Sequence, residues 1–491
     1  MRVWSKYQNG VFDFITKPGG NGCTEAVAGS GKSTVIKEGV ARLVPNVASI
    51  FCGAFNKHIE TPLARDLAMY PNVLVKTLNS FGNGICRKNI RGFYKIDKDN
   101  PKSQTVYRFE VLGGAKDSET KSRYYKSRWA IDRLISLAKA NLLRPGFSIE
   151  DMRELAITYD ITLPKGISEE NFYGDLQATF QACVKNFRLL DFDDQIYLPI
   201  YYNWEFPIFD WSFVDEAQDL TPMQIEMMIR VSRAGRLMAV GDRYQAIYQF
   251  RGADSNAIPN IIERLACTVL PLSICYRCSK SVVREAQRIV PHIEYHEESP
   301  EGLVTDTKPG EYWKIVTDKD IVLCRTTAPL VSDCLKMIRE GRKATVKGRD
   351  IGTNLIALVE NQSEPGMSST EFRDNLLKYQ AQENEKYTRG GRDSAIAALD
   401  DRVQTLMCFV EACETVDGII KKINDIFTDY TSGVTFMTVH KSKGLEAPRT
   451  FIIKPELMPH KMAKTEEAIQ AERNIEYVAI TRAQQELHRV R

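Results

Sequence analysis

At 491 residues, with 43% apolar and 26% charged side chains, the chain is too long for one hydrophobic core and has an ordinary globular composition. Roughly two to four domains are expected, and a disordered or fibrous chain is excluded. A net charge of +3 neither demands nor forbids a polyanionic partner. No apolar run approaches the ~18 residues of a membrane helix. The opening Met1-Arg2-Val3-Trp4-Ser5-Lys6-Tyr7-Gln8 lacks the apolar stretch of a signal peptide. A cytoplasmic location is therefore expected, with no membrane partner. The 11 scattered cysteines suit a reducing compartment, and the single Cys-x-x-Cys pair, Cys275 and Cys278, reads as two buried thiols rather than half of a zinc site.

In chain order, the first informative element is an apolar strand-like run, Cys23–Val27. It leads into Ala26-Val27-Ala28-Gly29-Ser30-Gly31-Lys32-Ser33-Thr34, and a helix-like run, Ser33–Leu43, follows. Strand, glycine-rich turn, Gly-Lys-Ser and helix together form a phosphate-binding loop, with Ala26 where a first glycine is usual. Gly29 and Gly31 let the backbone wrap closely around phosphate oxygens, and amides at the helix start point at the anion. Lys32 is expected on the β- and γ-phosphates of ATP and Ser33 on Mg²⁺.

Further short apolar runs follow at Ala48–Phe51, Val73–Val75, Phe213–Val214, Leu237–Val240, Ile321–Leu323, Val434–Val439 and Thr450–Ile453. Alternation with helix-like segments predicts an α/β fold with parallel sheets. Two stretches break the rhythm and read as mostly helical insertions, about 86–190 and about 340–430. The first is basic: between Cys86 and Arg128 there are twelve Lys/Arg against five Asp/Glu, with Tyr94, Tyr107, Tyr124, Tyr125 and Trp129 close by. Such a stretch either tracks a phosphate backbone or is a solvated helical face. Phe213-Val214 ends in Asp215-Glu216, acids at the carboxyl end of a strand, where open α/β sheets bind ligands. Asp215 is the expected second oxygen donor for Mg²⁺, and Glu216 the general base for the attacking water.

The string Val214-Asp215-Glu216-Ala217-Gln218-Asp219 resembles the UvrD/Rep-type superfamily 1 DNA helicases, and other segments extend the likeness in order. Gly241-Asp242-Arg243-Tyr244-Gln245-Ala246-Ile247-Tyr248-Gln249-Phe250-Arg251-Gly252-Ala253 looks like the family's third motif and Cys275-Tyr276-Arg277 like the fourth. Thr438-Val439-His440-Lys441-Ser442-Lys443-Gly444-Leu445-Glu446 is similar to the fifth, and Tyr477-Val478-Ala479-Ile480-Thr481-Arg482-Ala483 to the sixth. Asp191-Phe192-Asp193-Asp194 also recurs in the family, and Lys6-Tyr7-Gln8 sits where its adenine-reading glutamine belongs. Val346-Lys347-Gly348-Arg349-Asp350-Ile351-Gly352 resembles the compact phage and FBH-type members, and no fused nuclease is expected.

The resemblance implies two RecA-like P-loop domains in tandem. The first would comprise 1–85 and 191–267 around an insertion at 86–190. The second would comprise 268–339 and 431–491 around a reduced insertion at 340–430. It implies that Gln8 reads adenine, Tyr276 stacks on the base and Glu446 binds the ribose. Gln245 and Arg277 would sense the γ-phosphate, and Arg482 would act as an arginine finger. For DNA it implies Phe55, Thr77, Asn79, Tyr248, Phe250, Arg251 and His440, with Phe250 and Asn79 standing where many relatives carry tryptophan and histidine. The expected function is an ATP-dependent 3′-to-5′ DNA helicase, probing single-stranded DNA and its junctions with duplex. Closure of a two-lobed cleft on ATP would drive it. A monomer, meeting replication or repair proteins, is expected. A translocase that strips proteins from DNA with little unwinding remains an open reading; the fifth and sixth motifs argue against a third, a nucleic-acid-independent P-loop ATPase or kinase.

Overall fold

A computed structural model describes residues 3–92, 94–96, 101–159, 161, 164, 166–248, 256–364, 366–389, 393–430, 433–461 and 463–491. The chain divides into two compact units, Met1–Ala26 with Gly31–Leu272, and Val27–Ser30 with Ser273–Arg491.

The first unit is built on a six-stranded sheet in the order Val73–Thr77, Ile50–Ala54, Trp211–Val214, Arg236–Gly241, Gly22–Ala26 and Thr268–Leu272. Every neighbouring pair is parallel. Strands in such a sheet are covered on both faces, and the side chains alternate accordingly. Ile50, Cys52, Trp211, Phe213, Met238 and Val240 join one core with Val11, Phe12, Ile15, Val35, Ile36 and Val40 of the helices Lys6–Thr16 and Lys32–Leu43. Phe51, Val214, Leu237 and Ala239 join the other, with Phe81, Ile85, Met227 and Met228. The α/β expectation with parallel sheets is met. The strand Thr268–Leu272 pairs with Gly22–Ala26, so the first sheet continues past residue 267, where the sequence reading had placed the boundary. An apolar strand carries no mark of which sheet it will join. The cut at 85/86 likewise falls inside one helix, Leu78–Asn89.

The first insertion consists mainly of Ser118–Ala140, Ile149–Thr158 and Glu169–Lys185, with short turns before them. Buried charge ties it to the sheet domain. Lys102 Nζ lies 2.7 Å from Asp194 Oδ2, and Lys139 Nζ lies 2.8 Å from Asp194 Oδ1 and 2.5 Å from Asp191 Oδ2. The side chains of Lys102, Lys139 and Asp194 are all 0% exposed. Asp194 Oδ2 also accepts from the Asp191 N–H at 3.1 Å, and Asp191 Oδ1 from the Asp194 N–H at 2.7 Å. Burial works against the charge on Asp194, but the two lysines outweigh it and hold its carboxyl below the ordinary range. Asp193 next door is pushed up to about 6 by burial and by the Asp191 charge.

The second unit carries a seven-stranded parallel sheet in the order Leu303–Thr307, Ala483–Val490, Ala447–Ile453, Ile321–Cys324, Val434–Thr438, Ala344–Lys347 and Phe427–Thr428. Two of these strands, Ala344–Lys347 and Phe427–Thr428, lie within the span read as the second insertion. The inserted portion therefore narrows to the helices Arg349–Gln362, Ser369–Arg389, Asp393–Val410 and Val416–Ile426. Among the described residues, no helix is long and apolar enough to cross a membrane.

Removing one member of a buried ion pair strands the others. Asp194→Ala is expected to cost the first unit about 3–5 kcal/mol in denaturant unfolding. The Asp194 carboxyl is depressed in the folded state, so its contribution is complete above the unfolded carboxylate range and is lost as pH falls through the folded value. The variant should accordingly show a flatter loss of stability in acid, and an unfolding midpoint equal to wild type would disprove the anchor.

Candidate active site

The strand Gly22–Ala26 runs into the predicted phosphate loop, where the Ser30 N–H donates to the Val27 carbonyl at 3.3 Å. Gly29 and Gly31 have φ of 67° and 84°, a region that a Cβ makes costly. Gly31 caps the helix Lys32–Leu43 with no side-chain acceptor, which leaves the first-turn amides to a ligand. Ala28 is fully buried, and Thr34 lies half-buried in the first turn of that helix. Ser30 is 1% exposed and its hydroxyl has no partner among the described residues. An orphaned buried polar atom beside free helix amides fits a phosphate.

Two strands away, Trp211–Val214 delivers the acids. Ser33 Oγ donates to Asp215 Oδ2 at 2.9 Å, and Lys32 Nζ lies 2.9 Å from Glu216 Oε2. Glu216 is held at φ 53° and ψ 43°, a left-handed conformation that costs a non-glycine residue about 1–3 kcal/mol. Its carboxylate also accepts from Gln218 Nε2. Gln218 Oε1 in turn accepts from the Asp242 N–H at 3.0 Å, and Gln245 Nε2 donates to Asp242 Oδ2 at 2.9 Å. A continuous polar chain thus joins Lys32, Glu216, Gln218, Asp242 and Gln245. Gln218 and Asp242 were not singled out from sequence, although both stand inside the strings that were quoted.

The charges explain one another. Burial raises Asp215 to about 6, with the Glu216 charge adding to it, while Lys32 and the Ser33 hydroxyl pull it down. Burial likewise raises Asp242 to about 6 against the pull of Lys32. Burial opposes the charge of Lys32, but Glu216, Asp242 and Asp215 together more than restore it. A serine hydroxyl and a carboxylate converging at 2.9 Å are hard oxygen donors, the set that suits Mg²⁺ when phosphates and water complete its shell.

Gln8 opens the helix Lys6–Thr16, where its side-chain carbonyl accepts from the Ser5 N–H at 3.1 Å in a capping box. A Cβ on Gly31 would lie 3.7 Å from Gln8 Nε2, so that amide borders the phosphate loop.

In the second unit, Arg277 Nε pairs with Glu446 Oε2, and Gln484 Nε2 donates to Glu446 Oε1 at 3.0 Å. Two residues with separate expected roles therefore hold each other. The Tyr276 ring is 39% exposed and packs 4.9 Å from that of His296. Arg482 is 1% exposed: Nε donates to the Val478 carbonyl and Nη1 to the Leu445 carbonyl, both at 3.0 Å. Its Nη2 also donates to Thr481 Oγ1 at 3.3 Å. Cys275 and Cys278 are both buried, and the Cys278 N–H donates to Cys275 Sγ at 3.4 Å.

The residues expected on DNA are less uniform. Thr77 caps the helix Leu78–Asn89 through the Ser80 N–H, and Asn79 Nδ2 donates to the Phe192 carbonyl at 2.7 Å. Phe55 is partly buried against the core. Tyr248 and His440 are half-buried, the latter in the short helix Val439–Ser442. Phe250 and Arg251 lie outside the described residues. Phe192, which the sequence reading quoted without a role, is 56% exposed beside Asn79.

Two family models match the chain. Residues 11–266 match the family model of the UvrD/REP helicase N-terminal domain, and residues 346–489 that of the UvrD-like helicase C-terminal domain. The chain is 24% identical over 318 residues to F-box DNA helicase protein 1 of Schizosaccharomyces pombe, covering 59% of this chain and 35% of that protein. It is 26% identical over 327 residues to the ATP-dependent DNA helicase PcrA of Leuconostoc citreum, covering 60% and 40%. It is 27% identical over 333 residues to the ATP-dependent DNA helicase Rep of Salmonella typhimurium, covering 60% and 44%. The matched region is therefore less than half the length of each of these relatives.

Lys32→Ala removes the cation that Glu216, Asp242 and Asp215 together hold charged, and it is expected to abolish nucleotide hydrolysis. Arg482→Ala should lower turnover by about 10³-fold while nucleotide binding stays measurable by fluorescent-nucleotide titration. Wild-type turnover in either variant would refute the assignment.

Proposed function

Because the chain belongs to the UvrD/Rep helicase family, we propose that it is an ATP-dependent DNA helicase or translocase, driven by hydrolysis at Lys32, Ser33, Asp215 and Glu216. The observation that carries this reading is the convergence of Lys32 on Glu216 and of Ser33 on Asp215, each at 2.9 Å, at the end of a phosphate loop.

Lys32 neutralises the β- and γ-phosphates of ATP, and in moving to them it releases Glu216 from its ion pair. Glu216, still oriented by Gln218, then takes the proton of the attacking water. Ser33 and Asp215 hold magnesium, which when bound neutralises charge that develops on the phosphate oxygens. Gln245 reports on the γ-phosphate through Asp242 and Gln218. From the second motor half, Arg277 and Arg482 stabilise the transferred group, Tyr276 stacks on the base and Glu446 holds the ribose. For Arg277 and Glu446 this means exchanging each other for nucleotide. Gln8 reads the adenine. The order of the motifs along the chain supports ATP-driven closure of a cleft between the halves.

The track is single-stranded DNA, held by Phe55, Thr77, Asn79, Tyr248, Phe250, Arg251 and His440, with junctions to duplex as the place of unwinding. Movement is 3′-to-5′, a polarity supported by the family resemblance. The chain works as a monomer in the cytoplasm or nucleoid, beside replication or repair proteins. The six-motif organisation supports the proposed domain layout, with its boundaries shifted to the ends of the two sheets.

A second reading, a translocase that displaces proteins with little unwinding, is favoured by the small four-helix second insertion. ATPase assays with and without oligo(dT), beside unwinding of 3′- and 5′-tailed duplexes, separate the two. DNA-stimulated hydrolysis with strand separation from the 3′ tail is the expected outcome. Stimulated hydrolysis with displacement of a bound protein but no strand separation would favour the second reading. Unwinding only from a 5′ tail would sink the polarity, and hydrolysis indifferent to DNA would sink both readings.

A further inference from the structure

The first insertion presents a face that the proposed motor does not use. The helix Ser118–Ala140 buries Tyr124, Ser127, Ile131, Leu134 and Ile135 against its neighbours. On its outer side Lys121, Tyr125, Trp129 and Arg133 follow one another at four-residue intervals, and residues so spaced share a face. At 1.5 Å per residue the stripe is about 18 Å long. Tyr125 is 58% exposed and Trp129 62%. Phe109, on the turn Tyr107–Val111, is 59% exposed, and these three are the most exposed described aromatics of the first unit.

Cations accompany the rings. The Arg128 guanidinium lies 5.0 Å from the Tyr125 centroid, 5.3 Å from that of Trp129 and 5.7 Å from that of Tyr124. Arg108 lies 5.2 Å from the Phe109 ring and 5.7 Å from Tyr124. Lys126, which follows Tyr125 in the helix, is exposed. Two acids of this segment are engaged elsewhere: Asp117 caps the helix through the Thr120 N–H, and Asp132 accepts from Ser103. The basic stretch read from sequence is thus divided by the fold. Lys102 is buried in an ion pair and Tyr107 and Tyr124 are core, while Lys121, Tyr125, Lys126 and Trp129 remain outside.

We propose that this face is an accessory contact for single-stranded DNA, in which Tyr125 and Trp129 stack on bases while Lys121, Lys126 and Arg128 neutralise phosphates. The inference rests on the DNA-motor reading and adds a site outside the motif-bearing track. Rings interleaved with cations are the arrangement that grips single strands without regard to sequence. An apolar protein-docking patch would be depleted of lysine at its centre, whereas here Lys121 and Lys126 are exposed beside the aromatics.

The test compares the intact chain with Tyr125→Ala/Trp129→Ala and with Trp129→Phe, titrating labelled oligo(dT) of graded length. Long oligonucleotides should bind the double variant at least fivefold more weakly, since each lost stack is worth ~1–3 kcal/mol. Short ones that fill only the motor track should bind it as they bind the intact chain. Trp129→Phe keeps a ring and should retain most of the affinity, while losing the tryptophan quenching that accompanies binding. Unchanged affinity of the double variant for every length would overturn the proposal, as would an equal loss in Trp129→Phe. So would a preference for blunt duplex that the double variant abolishes. If the intact chain shows no DNA-stimulated hydrolysis, the motor reading itself fails, an outcome independent of the variants.

Discussion

In a parallel ladder all strands point the same way, so whatever follows each strand emerges at one edge of the sheet. In the first unit this single constraint assembles the candidate site. Gly22–Ala26 is followed by the phosphate loop, Trp211–Val214 by Asp215 and Glu216, and Arg236–Gly241 by Asp242 and Gln245. Ile50–Ala54 and Val73–Thr77 bring Phe55, Thr77 and Asn79 to the same edge. An antiparallel partner would have sent alternate members to the opposite edge. The five residues joined from Lys32 to Gln245 depend on that strand order before they depend on any one hydrogen bond.

Two buried ion clusters in this unit show how the same interaction serves different ends. Around Asp194, Lys102 and Lys139 are wholly buried, with each charge answered from inside the protein. Such a cluster is costly to break and fixes the insertion on the sheet domain. Around Glu216 the side chains are 12% and 21% exposed, and one lysine answers three carboxylates. A phosphate reaching Lys32 would compete with Glu216 for it, so this pair is suited to exchange. The contrast lies in access to solvent and in the balance of charge, since both pairs are lysine–carboxylate contacts of similar length.

The second unit repeats the principle with arginine. Arg277 and Glu446 come from distant points in the chain and pair with each other, and Arg482 donates to the Val478 and Leu445 carbonyls. Guanidinium groups need several acceptors at once when buried. In the proposed motor, nucleotide must offer Arg277 and Arg482 better acceptors than the ones they now hold.

The sequence by itself determined the phosphate loop, the paired acids and the α/β rhythm. These depend on short-range requirements: glycines at positive φ, a lysine beside a helix start, and apolar runs long enough for a buried strand. It could also name Gln245, Arg277, Glu446 and Arg482 through motifs whose order along the chain survives insertions. Which partners those residues take was beyond it, because Lys32–Glu216 spans 184 positions and Arg277–Glu446 joins two motifs read separately. The domain edges were missed for a related reason. Thr268–Leu272, Ala344–Lys347 and Phe427–Thr428 look like any short strands until a sheet edge claims them. Burial decided the rest. Composition marked one basic, aromatic stretch, and only packing sorted it into Lys102, Tyr107 and Tyr124 inside and Tyr125 and Trp129 outside. Local chemistry fixes what a residue can do; the tertiary structure decides which partner, or how much water, it meets.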